Sequence, residues 1–436
     1  MKTISNVVKA RLCVSCGACC YISSGDSVKM NFSKRHFMDI PFVMKEEQKS
    51  FDVCPGKGYD IFELGNENSN GIKDYDIDLG FVDEKWAIHS NNPTILENAS
   101  SGGIMTTIAS YLLENNLVNG IVATKFEYGL KGPRPVGIIA TTLDELIACQ
   151  GSKYTTVNHE RVLLQAKSFR GTLAYIGTPC QIAALRMIQG VDDHLKQKIR
   201  YTLGNFCGGI KDNRELLMQI KRHGFTPESI TQFRYRGGGQ PGSMLLRDNK
   251  GKVATHCYPD YNYVTGYKKL KRCRLCVDAT AELADFACGD AWLDKYRNSV
   301  LPWSIILTRN KEASGIVSTM IMQKLVTASH ITIEEIKLSQ KSNLQSKKYR
   351  THSRIALYKL LRIETPVIES GFHKTNSNIK FELKVLLSHT ISEGFESMKI
   401  FFLLELKRKL LRNIRFKIKR VLLIDKILLL YRSLVK

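Results

Sequence analysis

Three cysteines spaced two residues apart, Cys13, Cys16 and Cys19 in "RLCVSCGACC", constrain this chain more than any other stretch. Tight turns between them aim consecutive sulfurs at a common centre, and Gly17 lets the backbone approach whatever sits there. A distant cysteine followed by proline, Cys54–Pro55, completes a set of four in the bacterial-ferredoxin manner. The spacing favours a [4Fe–4S] cubane, because structural zinc usually takes two C-x2-C knuckles rather than three cysteines in succession. Zinc is the competing occupant. Cys20 is a poorer fourth ligand than Cys54, because neighbouring side chains point apart.

A second group lies far downstream. Cys273 and Cys276 form C-x2-C in "KRCRLCVD", and Cys288 follows in "ADFACGDAW". A cubane wants a fourth thiolate, and Cys207 in "GNFCGGI" is the candidate, flanked by glycines at a strand end. Taken alone, Cys207 reads as a small buried hydrophobe. The basic run from Lys268 to Arg274 offsets a cluster's negative charge, receives an acidic electron donor, or is a solvated turn. Cys20, Cys149, Cys180 and Cys257 fall outside both ligand sets.

The chain of 436 residues is long enough for two to three domains with ample core. Its net charge of +23 favours acidic partners: nucleic acid, anionic lipid, phosphorylated cofactors or an acidic electron carrier. No apolar segment precedes the cysteines and no run of about eighteen apolar residues occurs, which predicts a cytoplasmic protein. In that compartment, clustered cysteines read as metal ligands or catalytic thiols rather than disulfides. Residues 1–75 are loop-rich and close on a polar linker. Strand–turn–helix units follow, predicting an α/β (mixed α+β) core. The expected divisions are 1–75, 80–195, 196–345 and a basic helical tail at 346–436.

Three of those turns suit a nucleotide. In "SSGGIM", Ser101 is placed to cap a helix, while Gly102 and Gly103 let a ligand come close to a helix N-terminus that attracts phosphate. "GSKYTTV" supplies Gly151, Lys153 and Tyr154: a turn, a cation for a pyrophosphate or a flavin edge, and a stacking ring. "GTPCQIAALR" adds Thr178, with Pro179 in a first helical turn. Three such turns line one edge of a sheet, where α/β folds bind nucleotides. No G-x-G-x-x-G fingerprint is present, and on spacing alone a flavin and ordinary capped turns are equally open.

In order along the chain, "CVSCGACC … CPG", "SSGGIMT", "GSKYT", "GTPCQIAALR", "NFCGG", "FRYRGGGQPG" and "KRCRLCVDATAELADFACGDAW" resemble the coenzyme F420 hydrogenase/dehydrogenase β-subunit family over roughly residues 10 to 300. That family includes the F420-reducing hydrogenase β subunit and hydroxymethyl chlorophyll a reductase. The resemblance implies FAD, two [4Fe–4S] clusters, and electron transfer to or from a deazaflavin or another small acceptor. It supports ligands Cys13, Cys16, Cys19 and Cys54 for one cluster, and Cys207, Cys273, Cys276 and Cys288 for the other. It also lifts the flavin reading of Ser101, Gly102, Gly103, Gly151, Lys153, Tyr154, Thr178 and Pro179. One departure stands out: the family often runs straight on from its third cysteine into Cys-Pro. Here Cys-Pro lies far downstream, which predicts a cut-down ferredoxin-like module with one cluster.

The expected function is an iron–sulfur flavoprotein oxidoreductase that converts between single electrons and hydride chemistry. No catalytic residue is assigned. Arg234 and Arg236 in "RYRGGGQ" either hold an anionic substrate or point outward. The alternatives are a non-enzymatic electron-relay subunit, or a ferredoxin-dependent reductase in a glycan-biosynthesis pathway. Expected partners are a ferredoxin-like donor or hydrogenase/dehydrogenase subunits. The tail from Phe401 to Lys436 carries eleven Lys/Arg and two acids among helically spaced leucines and isoleucines. It reads as a membrane-surface anchor, a partner-docking helix, or a helix packed on its own domain. Aromatic residues suited to stacking are sparse there, which disfavours nucleic acid.

Overall fold

The structure, a computed structural model, describes residues 1–258, 268–375 and 378–393. The basic tail at 401–436 and its three readings lie outside the described residues. No described helix is long and apolar enough to cross a membrane.

The N-terminal stretch folds as a short helix (Ile4–Lys9), an antiparallel hairpin of β1 (Val28–Ser33) and β2 (Met38–Val43), and the helices Gln48–Asp52 and Ile61–Asn68. A two-residue pair, β3 (Tyr75–Asp76) and β4 (Gly80–Phe81), leads into the main sheet. That sheet uses β5 (Glu84–Ser90), β6 (Gly120–Glu127), β7 (Arg134–Ala140), β8 (Leu173–Gly177) and β9 (Ile199–Asn205). A three-stranded antiparallel sheet, β10 (Ile230–Arg234), β11 (Ser243–Asp248) and β12 (Val253–Cys257), stands apart. The chain then returns to the main sheet with β13 (Phe286–Asp290), β14 (Ser304–Thr308) and β15 (Val326–His330).

The main sheet has the order β15-β5-β14-β13-β9-β8-β6-β7. Its centre, β13-β9-β8-β6, is parallel, and antiparallel strands close both sides. Strands such as "LAYIG" and "SIILT" are buried along almost their whole length because both faces are covered. Period two decides the layers. Leu173, Tyr175, Ile305 and Leu307 enter one layer, with Ile182, Leu185 and Ile188 of the Pro179–Gln189 helix. Phe286, Cys288 and Ile306 enter the other, with Ile104, Ile108 and Leu112 of the Ile104–Glu114 helix. The stretches 80–195 and 196–345 therefore share one sheet, and Met1–His389 forms one compact unit.

Two contacts lock the layers. A Cβ at Gly102 would stand 2.6 Å from the Ile88 carbonyl oxygen, so only glycine lets this turn pack on β5. Arg309, fully enclosed, donates to the carbonyl oxygens of Leu79, Phe81, Thr280 and Ala281, tying the linker to the segment before β13.

Phe286 has no solvent exposure, whereas Val300 is 100% exposed. Phe286→Ala is expected to cost about 3–5 kcal/mol of unfolding free energy. Val300→Ala should stay within about 0.5 kcal/mol of wild type, both read from guanidinium melts.

Candidate functional site

The first cysteine group forms because left-handed residues bend the chain tightly: Arg11, Ser15 and Gly17 all have positive φ. At Gly17 a Cβ would also meet the Glu160 backbone nitrogen at 2.4 Å. Cys13, Cys16, Cys19 and Cys54 then line one small hollow, roofed by Met30 and Pro41 of the hairpin and floored by Ile4 and Val7. Cys20 is not among its walls. Backbone N–H groups point at the sulfurs: Ser15 donates to Cys13 Sγ at 3.4 Å, and Gly56 and Lys57 reach Cys54. Burial, and then the charge of Cys19, push the Cys54 thiol up to about 12. Burial is also the main cause for Cys13 and Cys16, whose thiols stand well above their usual range.

In the second group, Cys207 leaves the end of β9 and accepts the Gly209 N–H at 3.3 Å, while Cys273 accepts that of Ile210 at 3.4 Å. Burial first, then the charge of Cys207, push Cys273 up to about 11, with Cys276 adding to it. Cys288 is not brought to these three. Its place on β13 turns it into the opposite layer beside Phe286 and Ile306, and burial alone raises its thiol to about 12. Cys180 comes to them instead. It sits in the first turn of the Pro179–Gln189 helix, against the same layer as Val277 and Ala279. Burial and then the charges of Cys273, Cys207 and Cys276 hold its thiol well above the usual range.

The two groups are linked. Arg272 Nε donates to the Pro55 carbonyl at 2.9 Å, and Lys271 Nζ to that of Ala10 at 3.0 Å. Lys268, Arg272 and Arg274 are buried, so this basic run is a strut between the groups and not a solvated turn. Tyr175 is enclosed where both Cys16 and Cys180 act on it. Its hydroxyl meets His159 Nδ1 at 2.6 Å, and His159 Nε2 meets Thr124 Oγ1 at 3.1 Å.

Thr124 belongs to the wall of a cavity of about 570 Å³ at the carboxyl ends of β6, β8, β9 and β13. This is where open α/β sheets hold ligands, and the volume suits a cofactor. Ser101, Gly103, Gly151, Lys153, Tyr154 and Thr178 all line it, so the three predicted turns converge. Gly102 and Pro179 do not; they pack behind the wall. Ser101 caps no helix. Gly103, at φ 71°, occupies the cap position of Ile104–Glu114, and the Ser101 hydroxyl meets that of Ser304 at 3.0 Å. The Lys153 ammonium turns back to donate to the carbonyls of Cys149, Gln150 and Gly151 at 2.6, 3.1 and 3.0 Å. Burial brings its pKa down to about 8. Gln150 Oε1, on the cavity wall, is buried without a partner. Arg236 is neither outward nor open to an anion: it pairs with Asp290 at 2.6 Å and also donates to the carbonyls of Pro241 and Ser100. Arg234 donates to Asn98 Oδ1 at 3.2 Å.

Fold and site together define an α/β protein with a cavity at its strand ends, walled in part by Cys207 of the second cysteine group and by Val14, which also walls the hollow of the first. Residues 86–164 match the N-terminal part, and residues 171–334 the C-terminal part, of the coenzyme F420 hydrogenase/dehydrogenase β subunit. These matches take in more than half of the chain, which belongs to that family. Coenzyme F420 hydrogenase subunit beta of Methanothermobacter thermautotrophicus is 26% identical over 66% of this chain and 99% of its own length. The subunit from Methanococcus voltae is 27% identical over 48% of this chain and 71% of its own. The coenzyme F420-dependent sulfite reductase of Methanocaldococcus jannaschii is 22% identical over 77% of this chain, which spans 50% of that protein. A chain of the F420-reducing nickel–iron hydrogenase complex of Methanosarcina barkeri shares the fold. Its TM-score is 0.52 at 20% identity, covering 66% of this chain and 94% of that one.

Burial pulls the His159 pKa from 6.5 down to about 4. The unfolded chain therefore takes up a proton below about pH 6.5 that the folded chain refuses. The stability contributed by the neutral ring is present above that pH and is lost as pH falls towards 4. The stability difference between wild type and His159→Gln should accordingly shrink between about pH 7.5 and 4.5 in urea titrations. A difference that stays constant across that interval would refute the burial argument.

Proposed function

We propose that this chain is an iron–sulfur flavoprotein oxidoreductase that reduces or oxidises coenzyme F420 or another small substrate, working with a redox partner. The observation that carries it is convergence: Cys207 lines the nucleotide-sized cavity together with Val14, which also walls the hollow of Cys13, Cys16, Cys19 and Cys54. Cys13, Cys16, Cys19 and Cys54 would hold one [4Fe–4S] cluster. Cys180, Cys207, Cys273 and Cys276 would hold the second, with Cys180 in the place first expected of Cys288.

The cavity fits a flavin through its glycine-lined turns, two helix N-termini and the orphaned Gln150 Oε1, an acceptor for a ligand N–H. When bound, flavin and clusters supply the exchange between hydride and single electrons. The protein's own part is positioning. Gly103 and Gly151 let a ligand approach the backbone, and the Tyr154 ring forms a wall. The Arg236–Asp290 pair holds the glycine-rich loop against the cavity. His159, neutral because buried, bridges the Tyr175 and Thr124 hydroxyls at the cavity wall by hydrogen bonds and fixes their orientation. Lys153 is committed to carbonyls and does not serve a pyrophosphate.

The relatives' names as subunits favour a second reading, an electron-relay subunit of a larger complex. Substrate turnover by the isolated chain with a one-electron donor separates the two. Anaerobic purification should yield about eight irons per chain, four for each cubane, together with flavin absorbance. Cys180→Ala should lose about half of that iron while Cys288→Ala keeps it all. The reverse result would return Cys288 to the ligand set, and wild-type protein without iron or flavin would sink the proposal.

A further inference from the structure

Both family matches end by residue 334, and the chain then runs through a short helix (Lys341–Leu344), a π-helical turn (Gln345–Tyr349) and the helix Thr351–Leu360. This segment reaches the site twice. Gln340 and Asn343 form part of the cavity wall. Lys347, 3% exposed, donates to the Asp278 carbonyl at 2.5 Å and to Cys276 Sγ at 3.5 Å.

Its neighbour Lys348 behaves conventionally, pairing with the buried Glu282 carboxylate at 2.5 Å. Lys347 is compensated differently. A buried ammonium is costly unless polar groups answer it, and what the Lys347 ammonium meets is the Asp278 carbonyl and the Cys276 sulfur. The turn itself is anchored. Arg350 Nε and Arg354 Nε each donate to the buried Glu382 carboxylate at 2.7 Å, and Arg354 also donates to the Arg274 carbonyl inside the C-x2-C segment.

We propose that Lys347 is a positioning residue for the electron carrier at Cys180, Cys207, Cys273 and Cys276, raising that centre's midpoint potential above the value it would have without the ammonium. This rests on the reading of those four cysteines as cluster ligands. On reduction the centre gains one electron from a one-electron donor, no proton moves, and its net charge falls by one. A fixed positive charge at 3.5 Å from a ligand sulfur favours that more negative state. The extension beyond the family domains thereby biases which of the two centres holds the electron.

The test is a dye-mediated redox titration of the full chain, purified anaerobically and followed by electron paramagnetic resonance. Lys347→Gln is expected to lower the reduced-to-oxidised ratio of one centre at least tenfold at fixed potential, about 59 mV for one electron. The other centre should not move, Lys347→Arg should keep the wild-type value, and the exposed Lys341→Gln should change neither. Unchanged potentials in Lys347→Gln, or equal shifts of both centres, overturn the proposal. Should Lys347→Gln lose iron, retention of iron and potential in Lys347→Arg supports a charge role, and loss in both variants overturns it. Wild-type protein lacking the second centre's signal would instead bring down the ligand reading on which the proposal stands.

Discussion

Sulfur buried beside sulfur is the arrangement on which the rest depends. Cys13, Cys54, Cys180 and Cys273 are enclosed, and desolvation together with the charges of neighbouring sulfurs pushes their thiols away from ionisation. Thiolates held this way need positive charge at their centre or around them. The chain places much of that charge inside: Arg272, Arg274, Lys347 and Arg354 are all buried near the second ring. Part of the +23 surplus is therefore internal machinery and not a surface for acidic partners.

The sheet makes this geometry possible. Parallel β6, β8, β9 and β13 end on the same side, so the turns after them meet at one cavity. The helix following β8 carries Cys180 between the groups, and Tyr175 on β8 itself faces both. One strand thus connects the cavity wall to the space between the cysteine rings, with His159 and Thr124 completing a hydrogen-bonded line.

Much of the site was legible. Cys13, Cys16, Cys19 and Cys54 line one hollow because local turns, which spacing reveals, set their direction. Six of the eight predicted cavity residues face the cavity. The two that do not, Gly102 and Pro179, serve packing and helix initiation in those same turns. Cys288 and Cys180 show the limit. Both stand in segments rich in small residues, and only the strand's two-residue alternation sends one away from the second ring. Cys180 did carry a signal, a cysteine in the first helical turn directly after a strand. Lys347 carried none: nothing in "LQSKKYR" distinguishes a lysine buried against sulfur from its neighbour paired with Glu282.

The sequence by itself determined the α/β class, the turns at strand ends and the first cysteine group, because backbone sterics and periodicity act over a few residues. Tertiary structure decided what depends on elements far apart in the chain. It gathered Cys180, Cys207, Cys273 and Cys276 from three separate segments and set Lys347 against Cys276. It also spent the Lys153 and Arg236 charges on carbonyls and on Asp290. A charge's role depends on which opposite charge or dipole reaches it after burial, and folding alone settles that.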